Sequence, residues 1–136
     1  MVQWNDYRGG IRLSKQIVVP IDGTNKSYAI IPYALELART YGDEVMFLNV
    51  QPSLQELGYP AIKKAGSLVV DEGVPFRAKV RIGIPAMEIV AESTSPDVRF
   101  IVLAKGRGSE EAIGSVTEHV LKLATCPVVF VPPAAL

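Results

Sequence analysis

The stretch Ala104–Val131, AKGRGSEEAIGSVTEHVLKLATCPVVFV, carries the clearest structural signal in the chain. It begins at the end of a predicted strand, passes through a glycine-rich loop, and enters a helix that starts near Gly114-Ser115. Pro127 ends that helix, and the apolar residues after it predict the last strand. Because the free amides at the start of a helix attract anions, this pattern indicates a nucleotide-sized site on an α/β sheet.

Apolar segments that suit strands alternate along the chain with segments of helical spacing. Such alternation predicts a single-domain α/β fold, with a parallel sheet and helices on both of its faces. Residues 1–14 lack this periodicity and are expected to form a loose tail before a domain that spans residues 15–136. The predicted strands are Lys15–Ile21, Glu44–Val50, Phe76–Ile82, Arg99–Ala104 and Pro127–Val131, and the predicted helices are Ser27–Tyr41, Ala61–Asp71, Pro85–Ser93 and Ser115–Ala124.

Two of these elements have distinctive sequences. Pro32 falls inside the first predicted helix, where it should lie near the first turn or produce a kink. Phe76–Ile82 alternates apolar residues with the basic residues Arg77, Lys79 and Arg81. This alternation places the strand at an edge of the sheet, with its basic side chains in solvent.

Composition limits the classes of function. The chain has 136 residues, 49% of them apolar, and its 14 basic and 14 acidic residues give a net charge of zero. A balanced charge argues against nucleic acid as the main partner, because neutralising phosphates requires a basic surface. The only cysteine, Cys126, cannot form an intrachain disulfide, and the apolar runs are too short to span a bilayer. We therefore expect a cytoplasmic protein without a membrane partner.

Asp22 stands directly after the first predicted strand and has two interpretations. Its carboxylate either caps the next turn together with Gly23, or accepts a hydrogen bond from the base or ribose of a ligand. The segment KGRG at 105–108 is likewise either an ordinary surface turn or a flexible, cationic loop at a ligand site. Its position at a strand end favours the second interpretation, because ligands of open α/β sheets bind beyond the carboxyl ends of the strands, where the strand order reverses.

The sequence SVTE, which starts at Ser115, matches a capping box in which Ser115 and Glu118 bond to each other's backbone amides. One interpretation is a well-capped helix and nothing more. The other is that the amides and hydroxyls of this first turn hold a phosphate, which requires the Glu118 carboxylate to turn away. His119 is expected to be a solvated helix residue and Cys126 a packed thiol, so no catalytic or metal site is assigned.

Together these motifs resemble the universal stress protein family. The resemblance covers Lys15 to Pro132 and rests on VVPIDGTNKS, PYALELARTYG, GIPAMEIVAES and GSVTEHVLKLATCPVVFV. It implies an adenine nucleotide alpha hydrolase-like fold, with a five-stranded parallel sheet of order 3-2-1-4-5. Members of this family are generally regulatory in stress responses and form dimers through the last strands. Some bind ATP or AMP and others bind no nucleotide, and they have no widely shared catalytic residues.

The resemblance also implies positions for a nucleotide. The end of the family's phosphate motif, Gly-x2-Gly-x9-Gly-(Ser/Thr), is intact at Gly114-Ser115. Its beginning is shortened, because five residues separate Gly108 from Gly114 and Ala104 replaces the first glycine in the other register. The implied contacts are Pro20, Ile21, Asp22 and Val50 for the base, and Lys105, Gly106, Arg107, Gly108, Gly114, Ser115, Val116 and Thr117 for the phosphates.

Two hypotheses of function remain open. The first is a homodimeric stress-response regulator that binds ATP or AMP, with Mg²⁺ if the ligand is ATP, and without significant hydrolysis. The second is an interaction module with a collapsed pocket, which the shortened loop favours. A phospho-accepting receiver and a hydrolase have less support, because the strand ends lack clustered carboxylates and no G-x-S-x-G motif occurs. The expected dimer interface is the uncharged last strand, with Val128, Val129, Phe130 and Val131.

Overall fold

The computed structural model of this chain describes residues 7–8, 11–12, 14–53, 59–104 and 115–132. Every predicted helix and strand has a counterpart here whose ends lie within two residues of the expected ones. In chain order the elements are β1 Tyr7–Arg8, β2 Ile11–Arg12, β3 Gln16–Pro20, α1 Asn25–Ala29, α2 Ile31–Tyr41, β4 Glu44–Gln51, α3 Tyr59–Val69, β5 Phe76–Ile82, α4 Pro85–Ser93, β6 Val98–Ala104, α5 Ser115–Leu123 and β7 Val128–Val131.

Five strands form one parallel sheet in the order β5-β4-β3-β6-β7, which confirms the predicted 3-2-1-4-5 order when only these strands are counted. Helices cover both faces of this sheet. One buried cluster joins the sheet to α1, α2 and α3, and a second joins it to α4 and α5. β3 is apolar without alternation because both of its faces are buried. No helix in the described part of the chain is both long and apolar enough to cross a membrane.

The first predicted helix, Ser27–Tyr41, is interrupted at Ile30 and forms two helices. Thr24 caps α1, because its side chain accepts a hydrogen bond from the Ser27 amide. Pro32 occupies the first turn of α2, where a missing N–H leaves no helical hydrogen bond unmade. The proline therefore lies at the start of a second helix and does not kink a single long one.

The N-terminal segment contains more structure than the loose tail that the sequence predicts. Tyr7–Arg8 and Ile11–Arg12 pair as two antiparallel strands, with Tyr7 opposite Arg12 and Arg8 opposite Ile11. Strands of two residues are too short to show a readable periodicity, and for that reason they were not predicted.

β5 lies at an edge of the sheet, as predicted. Its apolar face is only half covered, since Phe76, Val80 and Ile82 are 40%, 40% and 45% exposed. The physical reason is that α3 packs more against β4 than against β5, which leaves this face half covered. The basic side chains of the other face are partly in solvent, as expected, and in addition form ion pairs with carboxylates of α4 and β4.

Glu92 of α4 is the centre of these ion pairs. It is only 3% exposed, and its carboxylate accepts hydrogen bonds from Lys79 and Arg81, each at 2.8 Å. Arg81 also donates to Glu88 at 2.9 Å. Burial by itself raises the pKa of Glu92, but the hydrogen bonds and charges of Lys79 and Arg81 outweigh burial and hold this pKa below its ordinary value. Glu92 is therefore ionised, and its hydrogen bonds and ion pairs link α4 to β5.

We expect Glu92→Gln to lower the free energy of unfolding by about 1–3 kcal/mol at neutral pH, because it removes charge-assisted hydrogen bonds from a buried site. The pKa of Glu92 is lower in the folded state than in the unfolded state. Its contribution is therefore complete above the ordinary value of 4.5 and is lost as the pH falls through the folded-state value. Urea denaturation should thus show a smaller cost of the substitution in acid than at neutral pH.

The matched control for this substitution is Glu36→Gln, because Glu36 is exposed on α2. It should leave the unfolding free energy unchanged at both pH values. An equal loss of stability at both pH values for Glu92→Gln would contradict the assignment.

Candidate functional site

A cleft of about 400 Å³ opens at the C-terminal ends of the central strands. Its volume lies within the range of roughly 300–1,000 Å³ that is usual for small-molecule sites. The strand order reverses here, because β3 pairs with β4 on one side and with β6 on the other. Helices attached to these strands lie on opposite faces, which leaves a crevice between them at this end of the sheet.

The cleft brings together seven of the residues named from the sequence. They come from three segments that are distant along the chain: the end of β3, the end of β4 and the start of α5. The remaining five, Lys105, Gly106, Arg107, Gly108 and Gly114, lie outside the described residues. The seven that line the cleft are Pro20, Ile21, Asp22, Val50, Ser115, Val116 and Thr117.

Asp22 has the capping role and also faces the cleft. Its Oδ1 accepts hydrogen bonds from the Thr24 amide at 2.9 Å and from the Thr24 hydroxyl at 2.6 Å. The residue is nevertheless exposed and lines the cleft, so the capping role does not exclude the second interpretation, a hydrogen bond to a ligand, which stays a prediction. Burial, and after it the charge of Asp22, raise the pKa of Tyr28 above its ordinary value.

Asn49 holds the end of β3 in place and was missed by the sequence analysis. It is 2% exposed, and its Nδ2 donates to the Ile21 carbonyl at 2.6 Å. The Ile21 amide in turn donates to the Leu48 carbonyl at 2.8 Å, and Gln51 donates to the Asn49 side-chain oxygen. These bonds fix the backbone immediately before Asp22. The signal in the sequence was a single amide side chain inside the apolar run EVMFLNV.

The N-terminus of α5 reaches the cleft without forming the predicted capping box. Ser115 is the first helical residue, and the Glu118 carboxylate accepts a hydrogen bond from Lys122 at 3.0 Å. The physical reason is the favourable (i, i+4) ion pair, and the hydrogen bond from Lys122 lowers the pKa of Glu118. The Thr117 hydroxyl donates to the Ala104 carbonyl at 3.3 Å. Glu118 therefore lies turned away from the helix start, and the Thr117 proton is engaged by β6.

His119 and Cys126 do not line the cleft among the residues that the structure describes. His119 is exposed on α5, with Nδ1 2.8 Å from the Ser115 carbonyl oxygen. Cys126 is partly buried against the cluster beneath α4 and α5, and burial raises the pKa of its thiol. The described residues also contain no group of three or more His, Cys, Asp or Glu side chains that could hold a metal ion.

Several lining residues were missed because they do not directly follow a strand. Leu48 and Leu103 form part of the floor from buried positions within β4 and β6, and Lys26 adds an exposed cation at the rim. Strand alternation could have identified Leu48, since a residue two positions before Val50 shares its face. The other missed lining residues are Thr24, Ser27, Ile30, Pro85 and Ile89, and the lining also includes Ala104, which the sequence analysis placed in the phosphate motif.

Solved structures share this fold. A universal stress protein from Archaeoglobus fulgidus matches with a TM-score of 0.75 and 22% identity, over 87% of this chain and 93% of that one. A structure of the universal stress protein from the same organism in complex with dAMP matches with a TM-score of 0.71 and 22% identity, over 87% and 98%. A universal stress protein family protein from Arabidopsis thaliana with AMP bound matches with a TM-score of 0.69 and 20% identity, over 86% and 90%.

The sequence comparison gives the family directly. The sequence model of the Universal stress protein family matches residues 55–132, a segment that includes α5 and β7. Universal stress protein MJ0531 of Methanocaldococcus jannaschii is 32% identical over 145 residues, which cover 91% of this chain and 85% of that protein. The chain therefore belongs to the universal stress protein family.

Proposed function

We propose that this chain is a homodimeric regulatory module that binds an adenine nucleotide, ATP or AMP, in the cleft without significant hydrolysis. The observation that carries the proposal is the convergence of Asp22, Val50 and the N-terminus of α5 on one cleft where the strand order reverses. The structures of related fold that hold dAMP or AMP support the choice of an adenine nucleotide.

The proposed base site lies at the ends of β3 and β4. Val50 and Leu48 offer an apolar surface on which a planar base can lie, beside the backbone of Pro20 and Ile21. The Asp22 carboxylate accepts a hydrogen bond from the amino group of the base, in the position that the family resemblance implies. An apolar cleft with few polar groups is typical of small-molecule sites, in which the polar groups orient the ligand.

The proposed phosphate site is the start of α5. This helix has nine residues, and the amides of residues 115–117 have no carbonyl of an earlier helical turn to bond. They therefore attract a phosphate, and the Glu118 carboxylate does not compete because it pairs with Lys122. Lys26 adds a positive charge at the rim of the cleft. Outside the described residues, the proposal also assigns Lys105, Gly106, Arg107, Gly108 and Gly114 to the phosphates.

The proposed lack of hydrolysis follows from the chemistry of the lining. Asp22 is the only carboxylate among the described lining residues, and it accepts two hydrogen bonds from Thr24 at the base end of the cleft. It is therefore poorly placed to activate a water molecule at the phosphates. A Mg²⁺ ion that accompanies ATP would be held chiefly by phosphate oxygens and water, as is usual for this ion.

The proposed homodimer forms through β7, at the opposite edge of the sheet from β5. Val128, Val129 and Phe130 are half-buried, and the strand contains no charged residue. An edge without charges is open to pairing with another strand. Two copies paired antiparallel about a two-fold axis give a closed interface in which each copy contributes the same residues.

Isothermal titration calorimetry with ATP, AMP and adenosine separates the two halves of the proposed site. We expect Asp22→Ala to weaken all three ligands by roughly ten- to a hundredfold, because one charge-assisted hydrogen bond contributes about 1.5–3 kcal/mol. Ser115→Ala removes the hydroxyl that the proposal assigns to a phosphate, so it should weaken ATP and AMP by a similar factor and leave adenosine, which has no phosphate, unchanged. Ser67→Ala, at an exposed position on α3, is the matched control and should change none of the three affinities.

The same titration tests the alternative function. If none of the three ligands gives heat at millimolar concentration and no nucleotide co-purifies, nucleotide binding is contradicted. The alternative function, an interaction module with a collapsed pocket, is then supported. The short segment between Gly108 and Gly114, and the Ala104 methyl group at the cleft wall, favour that alternative. ATP turnover that survives purification to homogeneity would contradict the proposed lack of hydrolysis and leave nucleotide binding intact.

Light scattering at micromolar concentration should give the mass of a dimer. Val129→Lys should convert the protein to a monomer, because it introduces two like charges into an apolar β7–β7 interface. Val80→Lys is the matched control, since it changes a half-exposed valine on the other edge strand, and this variant should remain a dimer. A monomeric unaltered protein, or a dimer that Val129→Lys leaves intact, would contradict the proposed interface.

A further inference from the structure

The outer edge of β5 is the second open edge of the main sheet. β5 pairs with β4, and the described residues supply no strand on its other side. The Val45 amide donates to the Pro75 carbonyl, and the Gly83 amide donates to the Gln51 carbonyl, each at 2.9 Å. In a parallel ladder, residues alternately bond to the neighbouring strand and point away from it. The odd-numbered residues of 75–83 therefore bond to β4, and the even-numbered residues point their N–H and C=O groups outward.

The outward backbone groups belong to residues whose side chains form the half-covered apolar face of β5. Phe76, Val80 and Ile82 are each 40% or more exposed. On the neighbouring helix α3, Tyr59 is 64% exposed and, with Ile62, forms one wall of a groove whose other wall is Val80 and Ile82. An arriving strand would therefore find unpaired backbone groups and an adjoining apolar groove on the same side.

The opposite face of β5 is cationic at its surface. The side chains of Arg77, Lys79 and Arg81 are 57%, 48% and 31% exposed. Glu44 and Glu92, which pair with them, are only 9% and 3% exposed and lie beneath them. Glu88, which pairs with Arg81, is 26% exposed, so the cation is clearly the outer partner only at Arg77 and Lys79. A strand that approaches these two residues therefore meets the positive ends of their ion pairs before it meets the carboxylates.

These cations oppose pairing of β5 with a second copy of the chain. An antiparallel β5–β5 pair centred on Lys79 would place Lys79 opposite Lys79 and Arg77 opposite Arg81. Like charges directly opposite each other destabilise a strand pair. The edge therefore disfavours its own copy and favours a strand of opposite charge.

We propose that β5 is a docking edge for an extended segment of a partner protein in which acidic and apolar residues alternate. The segment adds a strand to the sheet through the outward backbone groups of residues 76, 78, 80 and 82. Its apolar side chains lie in the groove beside Tyr59 and Val80, and its acidic side chains pair with Arg77, Lys79 and Arg81 on the other face. This edge shares no residue with the cleft, so the inference is independent of nucleotide binding.

Fluorescence anisotropy with three labelled peptides tests the alternation. The first peptide alternates valine with glutamate over the length of β5. The second has lysine in place of glutamate. The third has the same residues as the first, but with all valines in one block and all glutamates in another. We expect saturable binding of the first peptide alone. Failure of the first peptide to bind at millimolar concentration, or equal binding of all three, would overturn the proposal.

Substitutions in β5 test which groups carry the binding. Ala78→Pro removes an outward N–H while preserving the bonds to β4, at an edge where proline is tolerated, and should abolish binding. Lys79→Gln should weaken binding about two- to fivefold, the effect of one exposed ion pair, and Glu92 keeps Arg81 as a partner. Lys122→Gln, which removes a paired lysine from α5, is the matched control and should bind normally. Equal binding by Lys79→Gln and Ala78→Pro variants and the unaltered protein would overturn the proposal.

Amide hydrogen exchange can be measured on the unaltered protein, so its result does not depend on whether a β5 variant folds. Addition of the first peptide should slow exchange at Ala78, Val80 and Ile82 and leave Arg77 and Lys79 unchanged, because their amides already bond to β4. A uniform effect along β5 would indicate charge contact without strand addition and would overturn the proposal. Protection of the outward amides that rises with protein concentration in the absence of peptide would assign the edge to a second copy, and would also overturn it.

Discussion

The central position of β3 is the constraint on which the rest of the structure depends. Its residues 17–19 are inaccessible to solvent, and it pairs with β4 on one side and β6 on the other. Asp43, whose side chain is fully buried, accepts hydrogen bonds from the Lys15 amide at 2.8 Å and from the Arg99 guanidinium. One carboxylate therefore links the N-terminal ends of three neighbouring strands, β3, β4 and β6, at the end of the sheet opposite the cleft.

The cleft follows from this arrangement, because the strand order can reverse only at a central strand. Its polar groups are already held by structural bonds: Asp22 by Thr24, and Thr117 by Ala104. Glu118 is held by Lys122, which keeps negative charge away from the start of α5. Within the described residues, these polar groups of the proposed nucleotide site are thus held in place without a ligand, and preorganised groups lose less conformational freedom on binding.

The two edges of the sheet have opposite chemical character. β7 is uncharged and apolar, whereas β5 exposes three cations on one face and half-covered apolar side chains on the other. Like-charge repulsion is an established route to specificity, because it penalises the wrong pairing. In the dimer we propose, pairing through β7 would produce one continuous sheet with a β5 edge at each end. Dimerisation and partner docking would then use different edges without competition.

The sequence by itself determined the chain order of the five strands of the main sheet, the edge position of β5 and the position of Asp22 after the first of these strands, because apolar periodicity and the residue after a strand are local signals. The end of β4 at the cleft was predicted from the family resemblance. The capping box at Ser115 was predicted wrongly, since Glu118 has a competing partner in Lys122. Tertiary structure alone decided two features: how far the faces of β5 are covered by neighbouring helices, and the hydrogen bond from Asn49 that holds Ile21. Both depend on how a helix or strand distant in the sequence is placed, and no local pattern specifies that placement.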